Sequence, residues 1–253
     1  MNLYQLKWLF YRVTILRIKI QIIVINLRGA LAMSIELPEK FEKIVVNAKQ
    51  KWLDTRGMTR DELRTLIEGR VIKDKEASPK VGDDAPDFEA EILDERGNRT
   101  NEMFRLSSQF GVPIGLVFGS YTWPPFRDGA VRLDELAKSL GDKVKLFGVY
   151  IREAHAEGED QVIRNLDENI IFEQPETEDE RAEIAATCML RYNFSFPMLL
   201  DGMNNDAEYK YQSWPDRLYV ISPDGKIAYQ GGMGPLYFDV DEFEQELNKI
   251  VTA

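Results

Sequence analysis

The sequence predicts an α/β fold in which a central mixed sheet carries helices on both faces and a helical extension precedes it. Three observations carry that prediction. From about residue 81, short apolar runs alternate with longer amphipathic stretches in the order β-α-β, then α-β-β-α. With 44% hydrophobic and 30% charged residues over 253 positions, the chain has the composition of a globular protein with an ordinary core. A single Cys and a single His supply neither a disulfide nor a His/Cys metal site to hold it together. The net charge of -11 argues against a surface that tracks phosphates, so no nucleic-acid partner is expected. Neither a metal nor a cofactor is expected.

Residues 1–32 differ in composition from the rest. Residues 1–33 hold Lys7, Arg12, Arg17, Lys19 and Arg28 and no acidic residue, so the remainder is still more acidic than the whole. The longest uncharged run, Ile20–Leu27, falls far short of the roughly 20 apolar residues a membrane span needs. Three readings stay open. The segment is a basic amphipathic stretch for an anionic membrane surface, or a transit-like leader lacking the usual Ser, or an upstream extension of a protein that starts at Met33. The abrupt break in composition favours Met33. The expected location is cytoplasmic, with peripheral membrane association if residues 1–32 are real.

Residues 33–75 read as the helical extension. Pro38–Thr55 sets Phe41, Ile44, Val45, Ala48 and Trp52 on one helical face. Thr59 through Glu62 is a capping-box pattern, followed by a stripe of Leu63, Leu66 and Ile67. Lys73–Lys80 reads as a polar linker, and the main domain spans 81–253. Within it, Gly111–Gly119 and Val144–Ile151 are apolar enough to be fully buried strands. Pro124–Leu140 between them is a helix with Pro in its first turn. Thr177–Tyr192 is a helix whose acid-rich start suits the positive end of the macrodipole. Pro197–Leu200 is a short strand. Leu218–Ser222 and Lys226–Tyr229 form a hairpin about Pro223-Asp224-Gly225, and Asp239–Val251 is a closing amphipathic helix.

The chemistry concentrates where the first buried strand meets its helix, in Gly119-Ser120-Tyr121-Thr122-Trp123-Pro124-Pro125-Phe126. A group there sees unpaired N–H groups and the positive helix end, which stabilise an anion such as a thiolate. Ser120 and Thr122 offer hydroxyls beside it. This segment resembles the active-site segment of the iodothyronine deiodinases, a thioredoxin-fold, peroxiredoxin-like family. Tyr150-Ile151-Arg152-Glu153-Ala154-His155 resembles the family's Glu-Ala-His segment. Trp214-Pro215-Asp216-Arg217-Leu218-Tyr219-Val220-Ile221 and the Gly231-Gly232-Met233-Gly234-Pro235 turn resemble its C-terminal strands. The opening at Val81-Gly82-Asp83-Asp84-Ala85-Pro86-Asp87-Phe88 is similar to many peroxiredoxin-like domains.

The resemblance implies a thioredoxin-like fold and a thiol-dependent oxidoreductase that removes halogen reductively or reduces peroxide. Its partners would be a halogenated phenol or hydroperoxide and a thiol reductant; a homodimer is left open. It also implies a nucleophile at position 123, where the family has selenocysteine or cysteine and this chain has Trp123. An indole has no ionisable thiol or selenol. Either the nucleophile is lost, leaving a redox-inactive binding or scaffold protein, or a UGA codon for selenocysteine has been rendered as Trp. His155 would contact the phenol, with Glu153 setting its tautomer and charge. Arg217 is an exposed cation, or would steady an anionic intermediate or a substrate carboxylate, and Phe126 and Pro197 would shape access, with Pro197 expected in the cis form. Cys188 reads as a buried hydrophobe, or as a resolving thiol.

Overall fold

The computed structural model describes residues 35–252 apart from Asp160. The readings made for residues 1–32 and for a start at Met33 lie outside the described residues. Among the described residues, no helix is long and apolar enough to cross a membrane. Two compact units divide between Gly69 and Arg70.

In the first unit, α1 (Glu39–Asn47) and α2 (Gln50–Thr55) replace the single helix expected over 38–55, and α3 (Arg60–Ala77) begins there and ends in the second unit. Ala48 and Lys49 are extended, at ψ 120 and 135, and interrupt the helix. The carbonyls released there are taken by one side chain. The Arg60 guanidinium donates to Val46 O at 2.9 Å, to Ala48 O at 2.8 Å and to Val45 O. The Thr59 box forms, with Thr59 N on Glu62 Oε2 at 2.7 Å and Glu62 N on Thr59 Oγ1 at 3.2 Å. Phe41, Val45, Leu53, Leu63 and Ile67 are buried, whereas Leu66 and Trp52 are exposed, the latter under the Arg56 guanidinium.

Part of the stretch expected as a linker is helical, because α3 continues through Ala77. Its last turns are anchored. Asp74 pairs with Arg217, and the Asp74 carbonyl accepts from Ser78 Oγ and Lys80 Nζ.

The second unit is built on a seven-stranded mixed sheet in the order β2-β1-β5-β4-β3-β6-β7. The strands are β1 (Glu89–Leu93), β2 (Arg99–Arg105), β3 (Ile114–Gly119), β4 (Lys145–Tyr150), β5 (Met198–Leu200), β6 (Arg217–Ile221) and β7 (Ile227–Gln230). β3, α4 (Pro124–Leu140) and β4 form a parallel βαβ unit, and β5 lies parallel to β4. β6 lies antiparallel to β3 and to β7. This is the thioredoxin-like arrangement expected. The β1–β2 hairpin was not foreseen.

The remaining helices are α5 (Ile163–Asp167), α6 (Glu178–Tyr192), α7 (Asp206–Tyr211) and α8 (Val240–Thr252). Thr177 caps α6 in a reciprocal box with Glu180, worth about 1 kcal/mol to that helix end.

Both faces of the sheet are covered, which is why β3 and β4 read as continuous apolar runs. Along β3 the side chains alternate between two cores. Ile114, Leu116 and Phe118 join one with Phe147, Tyr211 and Tyr219; Val117 joins the other with Phe126, Leu133, Leu136 and Phe243. The last residue of β3 has to be glycine, since a Cβ on Gly119 would stand 2.2 Å from the Phe126 ring. That close approach brings the first turn of α4 down onto the end of β3.

One expectation fails. The cis peptide bonds are Trp214–Pro215 and Gly234–Pro235, and Phe196–Pro197 is not among them. Pro197 precedes β5, which pairs parallel to β4, whereas the strand that runs antiparallel beside β3 is β6, and Pro215 stands just before it.

Candidate active site

Three chain segments meet at one end of the sheet because of strand direction. β3 ends at Gly119 and β4 at Tyr150, both pointing the same way. β6, antiparallel, starts there at Arg217, opposite Phe118. In open α/β sheets the carboxyl ends of parallel strands are where ligands bind.

The loop between β3 and α4 is held from below by a buried network. Thr122 N donates to Glu153 Oε2 at 2.9 Å and Thr122 Oγ1 to the same oxygen at 2.6 Å. Tyr150 OH donates to Glu153 Oε1 and accepts from Tyr121 N at 3.0 Å. Ala154 N and His155 N both donate to Thr122 Oγ1 at 3.1 Å. Glu153 thus reaches the backbone of His155 through Thr122. Its two carboxylate oxygens are engaged by Thr122 and Tyr150, so its tie to His155 is one of position. Burial raises the Glu153 carboxyl above its ordinary range, against the pull of its three hydrogen bonds and of Arg181.

The same loop is clamped from the side. Arg127, buried in the first turn of α4, donates to Tyr121 O at 2.6 Å and Asn165 Oδ1 at 2.8 Å. Asn165 Nδ2 in turn donates to Thr122 O at 2.8 Å. Carbonyls that would otherwise be stranded beside a helix N-terminus are therefore satisfied.

Trp123 stands at the N-cap of α4. Its indole lies 5.1 Å from the His155 ring, centroid to centroid, at 30°. Its Nε1 donates to Asp216 Oδ2 at 2.7 Å. Asp216 is buried; desolvation pushes its carboxyl up to about 7, against the Trp123 hydrogen bond and the charges of Arg217 and Arg70. A Cβ on Gly234 would fall 1.4 Å from Asp216 Oδ1, so the glycine-rich turn makes room for this carboxyl. Asp216 Oδ1 and Ser120 Oγ are both buried without a hydrogen-bond partner among the described residues.

The raised Asp216 carboxyl makes a prediction with a definite sign. A carboxyl at 3.8 in the unfolded chain and about 7 in the folded one binds more protons folded, so stability falls as pH rises between those values. Asp216→Asn keeps an acceptor for the indole and removes the ionisation. Chemical denaturation at pH 5 and pH 8 is expected to show the wild type losing more stability than the variant, by up to about 2.7 kcal/mol, because about two pH units of that window lie between the two measurements at 1.36 kcal/mol per unit. Parallel profiles for the two proteins would contradict it.

The structure brings Ser120, Thr122, Trp123, Glu153 and His155 together, and treats the other expected site residues differently. Arg217 is buried and spends its fork inside the protein, on Gly231 O at 2.8 Å, Gln212 O at 3.2 Å and Asp74. Phe126 is core, packed under Gly119. Pro197 is exposed. Cys188 is 0% exposed, and burial pushes its thiol well above the ordinary range, so it is protonated and closed to solvent.

Sequence reasoning missed Tyr150, Asp216, Arg127 and Asn165. Tyr150 is the one hydroxyl ending an apolar strand, a signal that was there to read. Asp216 sits one residue before the Arg217 that drew attention. Nothing in the local pattern marks Asn165.

Comparison with known proteins gives the family. The family model for iodothyronine deiodinase matches residues 5–251. The type I iodothyronine deiodinase of Xenopus laevis is 34% identical over 137 residues, 54% of this chain and 52% of that protein. The thyroxine 5-deiodinase of Aquarana catesbeiana is 31% identical over 202 residues, 79% of this chain and 71% of that protein. The match spans about half the length of several of these curated deiodinases. Among solved structures, peroxidoxin BcpB of Mycobacterium tuberculosis is 18% identical at TM-score 0.47, covering 68% of this chain and 98% of that one. A putative protein disulfide isomerase of Bacteroides thetaiotaomicron is 19% identical at TM-score 0.49, covering 69% and 92%. With the family model matched over nearly its whole length, the chain belongs to the iodothyronine deiodinase family.

Proposed function

We propose that the chain is a thiol-dependent oxidoreductase of deiodinase type, with selenocysteine, encoded by UGA, at the position read as Trp123. The observation that carries this reading is a pair of buried polar atoms without a hydrogen-bond partner among the described residues, Asp216 Oδ1 on the carboxyl that takes the indole N–H, and Ser120 Oγ three residues before Trp123 in the same loop. An indole offers one N–H and meets one acceptor. A selenol at the same N-cap would place an ionisable, hydrogen-bonding group among those atoms and against the positive end of α4. In the reductive step the selenolate takes the halogen of a halogenated phenol, forming a selenium–halogen bond. The ring carbon keeps the bond's electron pair and takes a proton from the site. Two equivalents of thiol then restore the selenolate, releasing halide and a disulfide. A hydroperoxide is the other substrate class such a nucleophile takes.

A second reading is favoured by a specific observation, the 2.7 Å bond from Trp123 Nε1 to Asp216 Oδ2 together with the stack on His155. In it the indole fills the site of a redox-inactive binding or scaffold protein. Peptide mass spectrometry of the protein from its native source separates the two. A selenium isotope pattern at residue 123 is the expected result, and tryptophan there, encoded by UGG, overturns the enzyme reading.

A further inference from the structure

Beside the position-123 site, and distinct from it, lies a group of donors that the protein does not satisfy. The Arg70 guanidinium stands 4.6 Å from the Trp214 ring centroid and the Arg152 guanidinium 5.0 Å from it. Two cations gathered on one indole repel each other, and burial together with Arg152 lowers the Arg70 pKa. Arg152 spends Nε on Glu208, at 2.8 and 3.0 Å, which leaves its two terminal amino groups without an acceptor. Among the described residues, the Arg70 guanidinium makes no hydrogen bond and no ion pair. Trp214 Nε1 and Ser213 Oγ are buried and equally unpartnered.

The nearby carboxylates do not close the account. Glu208 is held by Arg152 Nε, Asp74 by Arg217, and Asp216 by Trp123 Nε1; Glu159 feels the charge of Arg152 but is hydrogen-bonded by Gln174 and forms no ion pair with it. Donors outnumber acceptors around a half-buried aromatic ring, and neither Arg70 nor Arg152 is fully buried. A guanidinium pair answers that arrangement with a bidentate oxyanion.

We infer that Arg70, Arg152 and Trp214 form a binding site for an oxyanion, the carboxylate or phosphate group of a small molecule. The inference does not depend on the identity of residue 123. A carboxylate ligand brings its own apolar body to the indole, and a phosphate brings more oxygens to the two forks.

The test is a titration of the full chain with sodium phosphate and, separately, sodium benzoate. Tryptophan fluorescence and melting temperature are followed, with sodium chloride at matched ionic strength as the control. Saturable binding of either anion, absent with chloride, is expected. Arg70→Gln is expected to raise the half-saturating concentration at least ~10-fold, a loss of about 1.4 kcal/mol. Arg70→Lys should fall between, and Arg105→Gln, a surface control, should match wild type. Because Arg70 makes no hydrogen bond that folding relies on, its variant is expected to keep the wild-type circular dichroism spectrum. Phosphate alone saturating assigns a phosphate ligand, benzoate alone a carboxylate. No saturation with either, or equal binding by wild type and Arg70→Gln, overturns the site.

Discussion

Glu153→Ala is expected to cost about 3–5 kcal/mol of folding stability in urea unfolding, the range for breaking a buried hydrogen-bonded charge. Glu153 is 1% exposed and is the common acceptor for Thr122 N–H, Thr122 O–H and Tyr150 O–H. Removing it strands three buried donors at once, each worth about 1–3 kcal/mol when unpaired, less whatever the rotatable hydroxyls recover elsewhere. Tyr150→Phe removes one of those donors together with the acceptor for Tyr121 N–H, and should cost about 1–2 kcal/mol. Because the two residues share one network, the double variant should lose less than the two single losses added. Additive losses, or a Glu153→Ala loss below about 1 kcal/mol, would show that the network does not hold the loop. Since Thr122 Oγ1 also receives Ala154 N and His155 N, the same variant should alter Trp123 fluorescence by loosening the His155 stack.

How much of this was legible in advance follows from where each hydrogen bond finds its partner. α4 was read with its observed bounds, Pro124 to Leu140, because its start and its apolar stripe are local facts. The capping box of α6 at Thr177 and Glu180 is local in the same sense. The break between α1 and α2 was not legible, because the carbonyls it frees are satisfied by Arg60, 12 to 15 residues away. The continuation of α3 to Ala77 was missed for a related reason. Its polar residues looked like a linker until Asp74 met Arg217, 143 residues on. β2 escaped notice because an edge strand with only Phe104 buried has no alternation to read. The site divides along the same line. Ser120, Thr122, Glu153 and His155 were visible as short motifs, while Asp216 reaches Trp123 only once β6 is laid antiparallel beside β3. Placing the cis-proline at Pro197 was the same error, a choice between strands that only the sheet order decides.

Trp123→Cys should convert the sequence as written into a reductive catalyst. With a thiol at the N-cap of α4, thiol-dependent turnover of a halogenated phenol or a hydroperoxide is expected to rise at least ~10-fold over the Trp123 protein, equivalent to about 1.4 kcal/mol of barrier. The helix end favours the thiolate, and the buried Asp216 carboxyl opposes it once that group ionises near pH 7. The double variant Trp123→Cys, Asp216→Asn should therefore show a lower thiol pKa by iodoacetamide alkylation than the single variant. The readout is clean because Cys188 is 0% exposed and does not compete for reagent. Exchanging an indole for a thiol leaves a void, and a stability loss of about 2–4 kcal/mol is expected from the large-to-small change. Turnover is therefore measured well below the melting temperature of the variant. Trp123→Ser, with the same void and no thiol, is the control and should remain inactive. If a folded Trp123→Cys protein alkylates readily yet turns over no better than the serine variant, position 123 is not the nucleophile's seat. The polar atoms around it would then serve only to hold the loop that Glu153, Arg127 and Asn165 already fix.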